Sequence, residues 1–456
     1  GPAGKSVSEL SPDDQRRGRT GWYAYDLATH SYIAVVGTVL FAPYLTSVAT
    51  TAACGSVRPC HRDLTVAGVA VSPGSLVFYA IPLATIIATV FLPLVGAAAD
   101  RARSPRRLLG LFAFTGAAAT VAMAGIGGGD WQLGVGLLTV TTICLACSVV
   151  VTNSLLHDLA SPDERDAVSA RGWAAGYVGS TICLAVALVV VTAHASLSMT
   201  KTTAVLVCFA FAGLWWAAFT VVPLLMLPDR PGPLVAPVAG AGRGQLVAAL
   251  RDTYREVRAH PQSGRFLLVA LLINDGIGTV VGVASTYGSQ QLGLSQQVLL
   301  ATILGVQVVA VVGALAFGRL AGRVGSRRMI LVGLVAWMAI IVGGWVLPAH
   351  RIGLFLILAA AIGLMLGGVQ ALSRSVFSQV TPADRQAAWF SLYQATQQGT
   401  SWFATLVFGL VHQIAGSYRP ALGALLAFFV AATVLLLRTD LRRAVREAGN
   451  PQPRTL

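Results

Sequence analysis

GSLVFYAIPLATIIATVFLPLVGAAADRARSPRR, residues 74–107, decides what kind of molecule this is. Residues 74–97 contain no charged side chain. At 1.5 Å per residue, a helix of that length crosses the roughly 30 Å hydrocarbon core of a bilayer. The run then ends in Asp100-Arg101, followed by Arg103, Arg106 and Arg107. A basic cluster of this kind stays on the cytoplasmic side of a membrane.

The same pattern extends along the chain. Of 456 residues, 55% are apolar and only 11% are charged, where a soluble domain carries roughly a quarter charged residues. Apolar spans are expected at 22–48, 74–97, 106–127, 131–154, 172–194 and 203–226. A second set is expected at 266–288, 296–318, 328–348, 351–373, 387–413 and 418–438. Of the 32 Lys and Arg residues, 27 fall in alternate loops, and only Arg58, Arg62, Lys201, Arg351 and Arg419 fall on the other side. This bias predicts an even number of spans with both termini in the cytoplasm, at the plasma (inner) membrane. The net charge of +14 thus reflects topology, and no nucleic-acid partner is implied. Residues 1–20 have no apolar core and read as neither signal peptide nor anchor.

The spans divide into two sets. Residues 1–21 read as a cytoplasmic tail, 22–226 as a six-helix half, and 227–265 as a linker. Residues 266–438 read as a second six-helix half and 439–456 as a second tail. Within the linker, Gln245 to His260 is amphipathic and basic, as expected of a helix lying on the membrane surface. Three paired motifs support a duplication. Ser161-Pro162-Asp163-Glu164-Arg165 matches Thr381-Pro382-Ala383-Asp384-Arg385, and both read as capped helix starts. Gly96 to Arg101 matches Gly318 to Arg323. Asp26 in span 1 matches Asp275 in span 7. The fold expected is an all-α membrane protein of twelve transmembrane helices in two pseudo-symmetric six-helix halves.

The loop after span 2 resembles the G-x-x-x-D-R-x-x-R-R signature of the major facilitator superfamily, in Gly96, Asp100, Arg101, Arg106 and Arg107. Tyr25-Asp26-Leu27-Ala28, Asn274-Asp275-Gly276-Ile277 and Ser161 to Tyr177 are similar to its vacuolar-effluxer-like branch, also called the unknown major facilitator family. The likeness runs from about Trp22 to Arg438. Two departures stand out. Gly322 occupies the place of an acid in the second loop, and span 5 lacks the Gly-Pro pair of antiporters.

The resemblance implies that Asp100 docks at the N-terminus of span 11 and latches the halves, with Gly96 allowing close approach. Topogenic charge alone would explain the arginines but not the Gly and the Asp. Ionisable groups inside spans are costly and usually functional. Asp275 lies about 15 Å into span 7 and is the first candidate for a substrate or proton site, against a buried structural pair. Asn274, about 100° away, reads as a packing residue. Tyr23, Asp26 and His30 share a helix face expected to line a cavity. His30 and Asp26 could share a proton; equally, Asp26 could bind an Arg while His30 packs against a backbone carbonyl. Gln394, Gln397 and Ser401, flanked by Tyr393, Gln398 and Trp402, suit a polar organic solute. Gln307, Gln370, Arg374 and Tyr177 are further candidates for the cavity lining, or for hydrogen bonds between helices.

Cys54 and Cys60 fall in the first outer loop, where the medium is oxidising, and a disulfide is expected between them. Cys144, Cys147, Cys183 and Cys208 read as buried thiols. No enzyme motif appears: P-loop, G-x-S-x-G and H-E-x-x-H are all missing, and Gly125 to Gly129 reads as a hinge. No cofactor or metal is expected. The function expected is secondary transport of a small polar solute by alternating access, with protons as the candidate coupling ion. The resemblance implies amino acids or related metabolites. Efflux of lipophilic drugs or lipids, which would favour a cavity richer in aromatics than in amides, and a non-transporting sensor or scaffold are the alternatives. The expected partners are the solute and membrane lipids, and the expected unit is a monomer.

Overall fold

Ser11-Pro12-Asp13-Asp14 opens the first helix ten residues before its apolar stretch. The computed structural model describes residues 11–55, 60, 62–66, 68–102, 104–229, 243–290, 296–346, 351–398 and 418–456. Ser11 Oγ accepts the Asp14 N–H at 3.1 Å, Pro12 occupies the first turn, and both acids lie at the positive end of the helix dipole. Helix α1 therefore runs Pro12–Cys54. The helix thus begins ten residues ahead of the apolar stretch expected from 22, because the cap draws the polar residues 12–21 into its first turns.

The first half continues with a short hairpin, β1 (Leu64–Val66) and antiparallel β2 (Val69–Val71). It is completed by α2 (Leu76–Arg101), α3 (Pro105–Ala122), α4 (Trp131–Ser154), α5 (Arg165–Thr192) and α6 (Lys201–Met226). Helix α7 (Arg243–Ala259) lies in the linker beside α2. Its Arg251, Arg255 and Arg258 are exposed. The second half comprises α8 (Pro261–Gln290), α9 (Gln296–Val324), α10 (Ser326–Val346), α11 (Ile352–Val380), α12 (Gln386–Gln398) and α13 (Tyr418–Arg438). A final helix, α14 (Leu441–Glu447), is capped by Asp440.

Among the described residues, ten helices are long and apolar enough to cross a membrane. The remainder of the eleventh expected span, including Ser401 and Trp402, lies outside the described residues. Phe78, Tyr79, Leu83, Ile86 and Val90 project from α2, and Leu354, Leu356 and Ile357 from α11. Such an apolar exterior is stable against lipid, not water.

The repeated helix starts do not cap as their sequence suggests. Helix α5 begins at Arg165 and α12 at Gln386, each four or five residues after the Ser or Thr. Pro382 is extended and is followed by a 3₁₀ turn, Ala383–Arg385. Thr381 Oγ1 turns back and donates to the Phe377 carbonyl at 2.7 Å. Ser161 Oγ instead donates to Glu164 at 2.8 Å.

The two halves meet on the side that carries the Arg-rich loops, here called the basic side. There α2 packs on α12, and α5 packs on α9 and α11. In the first loop Cys54 and Cys60 are joined by a disulfide, with Cα atoms 5.7 Å apart. The four other cysteines are buried thiols.

Candidate functional site

The interface between the halves encloses a cavity of about 470 Å³. Asp26, Thr29 and His30 of α1, Asn153 of α4, and Trp173 and Tyr177 of α5 line it from the first half. Asn274 of α8, Gln307 of α9, Gln370 and Arg374 of α11, and Gln394, Gln397 and Gln398 of α12 line it from the second. Ile303, Ile340, Leu358, Ile362 and Leu366 form an aliphatic wall on the second half. The cavity is thus amphipathic, with polar groups gathered around Arg374.

Arg374 is the centre of that group. Its guanidinium donates twice to the Asp26 carboxylate, Nη1 at 3.3 Å and Nη2 at 3.0 Å. Nη1 also donates to Asn153 Oδ1 at 3.2 Å. Nε donates to Ser169 Oγ at 3.0 Å, and Nη2 to the Ser169 carbonyl at 2.9 Å. The Trp22 and Trp173 rings flank the cation at 4.4 and 5.4 Å, within cation–π range. Both charges are buried, and removing one partner of such a pair costs about 3–5 kcal/mol. Gly172 makes this arrangement possible, because a Cβ there would collide with Asp26, Trp22 and Arg374.

His30 is engaged with the Asp26 backbone and not with its carboxylate. Its Nδ1 lies 2.7 Å from the Asp26 carbonyl, and its ring packs edge-on against Trp173 and Tyr177. Of the two arrangements open from the sequence, the structure shows the Arg–Asp pair with a carbonyl-bound histidine. Tyr23, one turn nearer the basic side, is not part of the cavity wall, so of the three expected residues α1 turns Asp26 and His30 inward. Two residues beyond His30, α1 loosens into a π-helical stretch, Tyr32–Leu40, with Ile33 and Thr38 at the cavity.

The pair in α8 is turned opposite to expectation. Asn274 lines the cavity, while Asp275 is 1% exposed and packed among helices. Successive helical residues point about 100° apart, so only one of the two can face the opening. Tyr393 is also displaced from the expected lining: it is buried against Phe377 and Phe390, with ring centroids 4.8 and 5.8 Å away. Gln370 accepts the Tyr177 hydroxyl at 3.1 Å, so that pair both lines the cavity and joins the halves. Asn153, Ser169, Trp22 and Trp173 escaped the sequence reading. A lone Asn inside an apolar span was the available signal for the first.

The basic side is closed by a second set of contacts. Asp100 accepts the Ala387 N–H at 2.7 Å and the Ala388 N–H at 2.9 Å, at the first turn of α12. A carboxylate is favoured there by the unpaired amides and the dipole. Gly96 lies against the same turn, and a Cβ would come within 2.7 Å of the Ala387 carbonyl. The arginines of the motif do not cross to the other half. Arg106 pairs with Asp229 at 2.9 Å and donates to the Leu224 carbonyl at 3.2 Å, while Arg101 and Arg107 are exposed. Elsewhere Arg165 donates to the Ser378 carbonyl at 3.2 Å and Ser169 to the Ala371 carbonyl at 2.7 Å.

Known proteins fit this geometry. An uncharacterised MFS-type transporter of Bacillus subtilis, YxiO, is 27% identical over 417 residues, covering 91% of this chain and 93% of that protein. Autophagy-related protein 22-1 of Penicillium rubens is 25% identical over 465 residues, covering 84% and 78%. The proton:xylose symporter XylE, at 14% identity, superposes with a TM-score of 0.70 over 94% of this chain and 96% of its own, which establishes the major facilitator fold. The model of the family described as vacuole effluxer Atg22 like matches residues 14–449. This multi-pass membrane transporter belongs to the Atg22-like vacuole effluxer family of major facilitators.

Proposed function

We propose that this chain carries a small polar organic solute, an amino acid or related metabolite, by alternating access through the central cavity. The observation that carries the reading is the lining. Among its described residues, seven are amides (Asn153, Asn274, Gln307, Gln370, Gln394, Gln397 and Gln398), against three aromatics, Trp173, Tyr177 and Phe355. Amides provide paired donors and acceptors that fix a polar solute's orientation. A cavity for lipophilic drugs would not need to desolvate so many of them.

The orientation proposed places the basic side and both termini in the cytoplasm of a cell bounded by this membrane. Two independent features support it. Lys and Arg crowd the loops of that side, and the Cys54–Cys60 disulfide lies on the opposite side, where an oxidising compartment preserves it. In this orientation the structure is closed toward the cytoplasm, and Asp100 on α12 is the proposed latch.

Uptake of a pooled amino-acid and metabolite panel into proteoliposomes, with and without an imposed pH gradient, tests the reading. Gradient-driven flux of polar members by the wild type, reduced at least tenfold in Gln394→Leu, is expected. Flux confined to lipophilic compounds, or none from folded protein, overturns it.

A further inference from the structure

The end of α11 shows what residues 450–456 do. A helix leaves its last four carbonyls without helical partners, and here side chains supply all of them. Thr381 Oγ1 donates to the Phe377 carbonyl, Arg165 and Gln386 to that of Ser378, and Ser263 to that of Val380. The Gln379 carbonyl is taken by Asn450, whose buried Nδ2 donates to it and to the Thr381 carbonyl, each at 2.7 Å. Asn450 is delivered there by α14, which packs on α8 and α11 through the buried Leu441, Ala444 and Val445.

From Asn450 the chain leaves the second half. The Arg454 N–H donates to Asp163 Oδ1 at 2.7 Å, in the loop of the first half that leads into α5. Arg454 Nε lies 3.5 Å from the same carboxylate, in a pair too exposed to contribute much. Two residues later the chain is back on the second half. Gly325, in the turn between α9 and α10, lies against Leu456, and a Cβ there would come within 2.7 Å of the Leu456 main-chain oxygen. Residues 450–456 therefore cross the start of α5 with both ends seated on the second half. Pro451 and Pro453 stiffen the crossing and lower the entropy lost in fixing it.

Resting on the transport reading above, we propose that residues 450–456 are a strap over the start of α5, a built-in brake on opening of the basic side. In the closed form α5 packs on α9 and α11, and the basic side opens only by separating α5 from both. That separation carries Asp163 away from the Arg454 N–H. The strap adds a closing contact that lies outside the seam and does not involve the Asp100 latch. Whatever draws the tail off its seat favours opening.

Hydrogen exchange of the purified full chain, read by fragmentation mass spectrometry, is the first test. The Arg454 amide should exchange about tenfold or more slowly than in the free peptide of residues 449–456. Exchange at the peptide rate overturns the proposal, and no variant is needed to see it. Removing residues 450–456 should raise thiol labelling from the basic side at least about fivefold, the value of one net hydrogen bond. Asp163→Ala should raise it similarly, whereas Asp163→Asn, whose Oδ1 still accepts, should keep most of the wild-type protection. In Asp100→Ala protein that labels faster from the basic side, the Arg454 amide should exchange faster too, because linkage is reciprocal. A truncated protein that melts lower yet labels at the wild-type rate would make the tail mere packing on the second half, and overturns the brake. An Arg454 amide indifferent to opening does the same. Neither readout needs a solute, so the strap is decided even if no member of the solute panel is carried.

Discussion

The duplicated halves bring two equivalent contacts to the basic side, and these are chemically unlike. At α2 and α12, a carboxylate on one half, Asp100, accepts two backbone N–H groups of the other. At α9 and α5, the equivalent loop carries Gly322, which is exposed, with open space where a side chain would stand. Closure there uses a side-chain pair of reversed polarity: Asp166 of α5 accepts Ser326 Oγ, at the start of α10, at 2.5 Å. Small residues do the rest, with Gly318 pressed onto Ala170. One contact is ionic and aimed at a helix dipole; the other is a buried hydroxyl–carboxylate bond within close packing. A duplicated motif therefore predicts where a contact occurs more reliably than what it is made of.

The difference should appear first when Asp100 is removed. Asp100→Ala leaves two helix-terminal amides without their acceptor, and hydrogen bonds to a charged group are worth about 1.5–3 kcal/mol each. The closed basic side should lose at least about 2 kcal/mol, roughly a 30-fold shift in population. Cysteine-accessibility labelling of single-cysteine variants on the two faces would read this as increased labelling from the basic side. Unchanged labelling would make the contact incidental.

Ser326→Ala should come next. It strips the hydroxyl from Asp166, a carboxylate 5% exposed, at a cost of about 1–3 kcal/mol, for a buried acceptor left short of a donor. The expected readout is the same basic-side opening, smaller than for Asp100→Ala, and rescued by Ser326→Thr if the threonine methyl fits. An effect exceeding that of Asp100→Ala would invert the ranking of the two contacts.

How much of this was legible in the sequence depends on the kind of force. The membrane character and the two sets of spans follow from run lengths and repeats, whereas the meeting of Gly96 and Asp100 with α12 was legible only through what the family resemblance implies. The orientation of side chains within a helix was not legible. Nothing in Asn274-Asp275 says which faces the opening, because that depends on how α8 is rotated by its neighbours. The partner of Asp26 was equally hidden: Arg374 lies 348 positions away, and only the packed halves bring them together. The early start of α1 was readable from Ser11-Pro12-Asp13-Asp14, but hydropathy outweighed capping chemistry at that point.

Gly322→Asp sharpens the same comparison with a null effect. It restores the acid that the repeat leads one to expect, at a position with open space around it. Exposed substitutions of this kind usually remain within about 0.5 kcal/mol, so neither labelling nor melting temperature should move measurably. A strengthened closed state would mean that the second loop can form the ionic latch after all.

The smallest measurable effect belongs to the exposed rim, where Arg19 of α1 grips Glu164 at 2.7 Å ahead of α5. Both residues lie in the first half, so the pair braces α1 against α5 without joining the halves. Hydrogen bonds from Arg19 hold the Glu164 carboxyl below its ordinary value, aided by Ser161 and opposed by partial burial. A depressed carboxylate contributes stability above its unfolded pKa and loses it as pH falls through the folded value. The contribution is therefore complete at neutral pH and disappears only in acid, below the usual carboxylate range. Half of the Glu164 side chain is exposed, so solvent screening limits it to about 0.2–1 kcal/mol. Glu164→Gln should lower the melting temperature slightly at neutral pH and leave it unchanged in acid, with the basic-side labelling unaffected at both. A labelling change would show that bracing within one half is transmitted to the contact between halves, and that the two closures are coupled through α5.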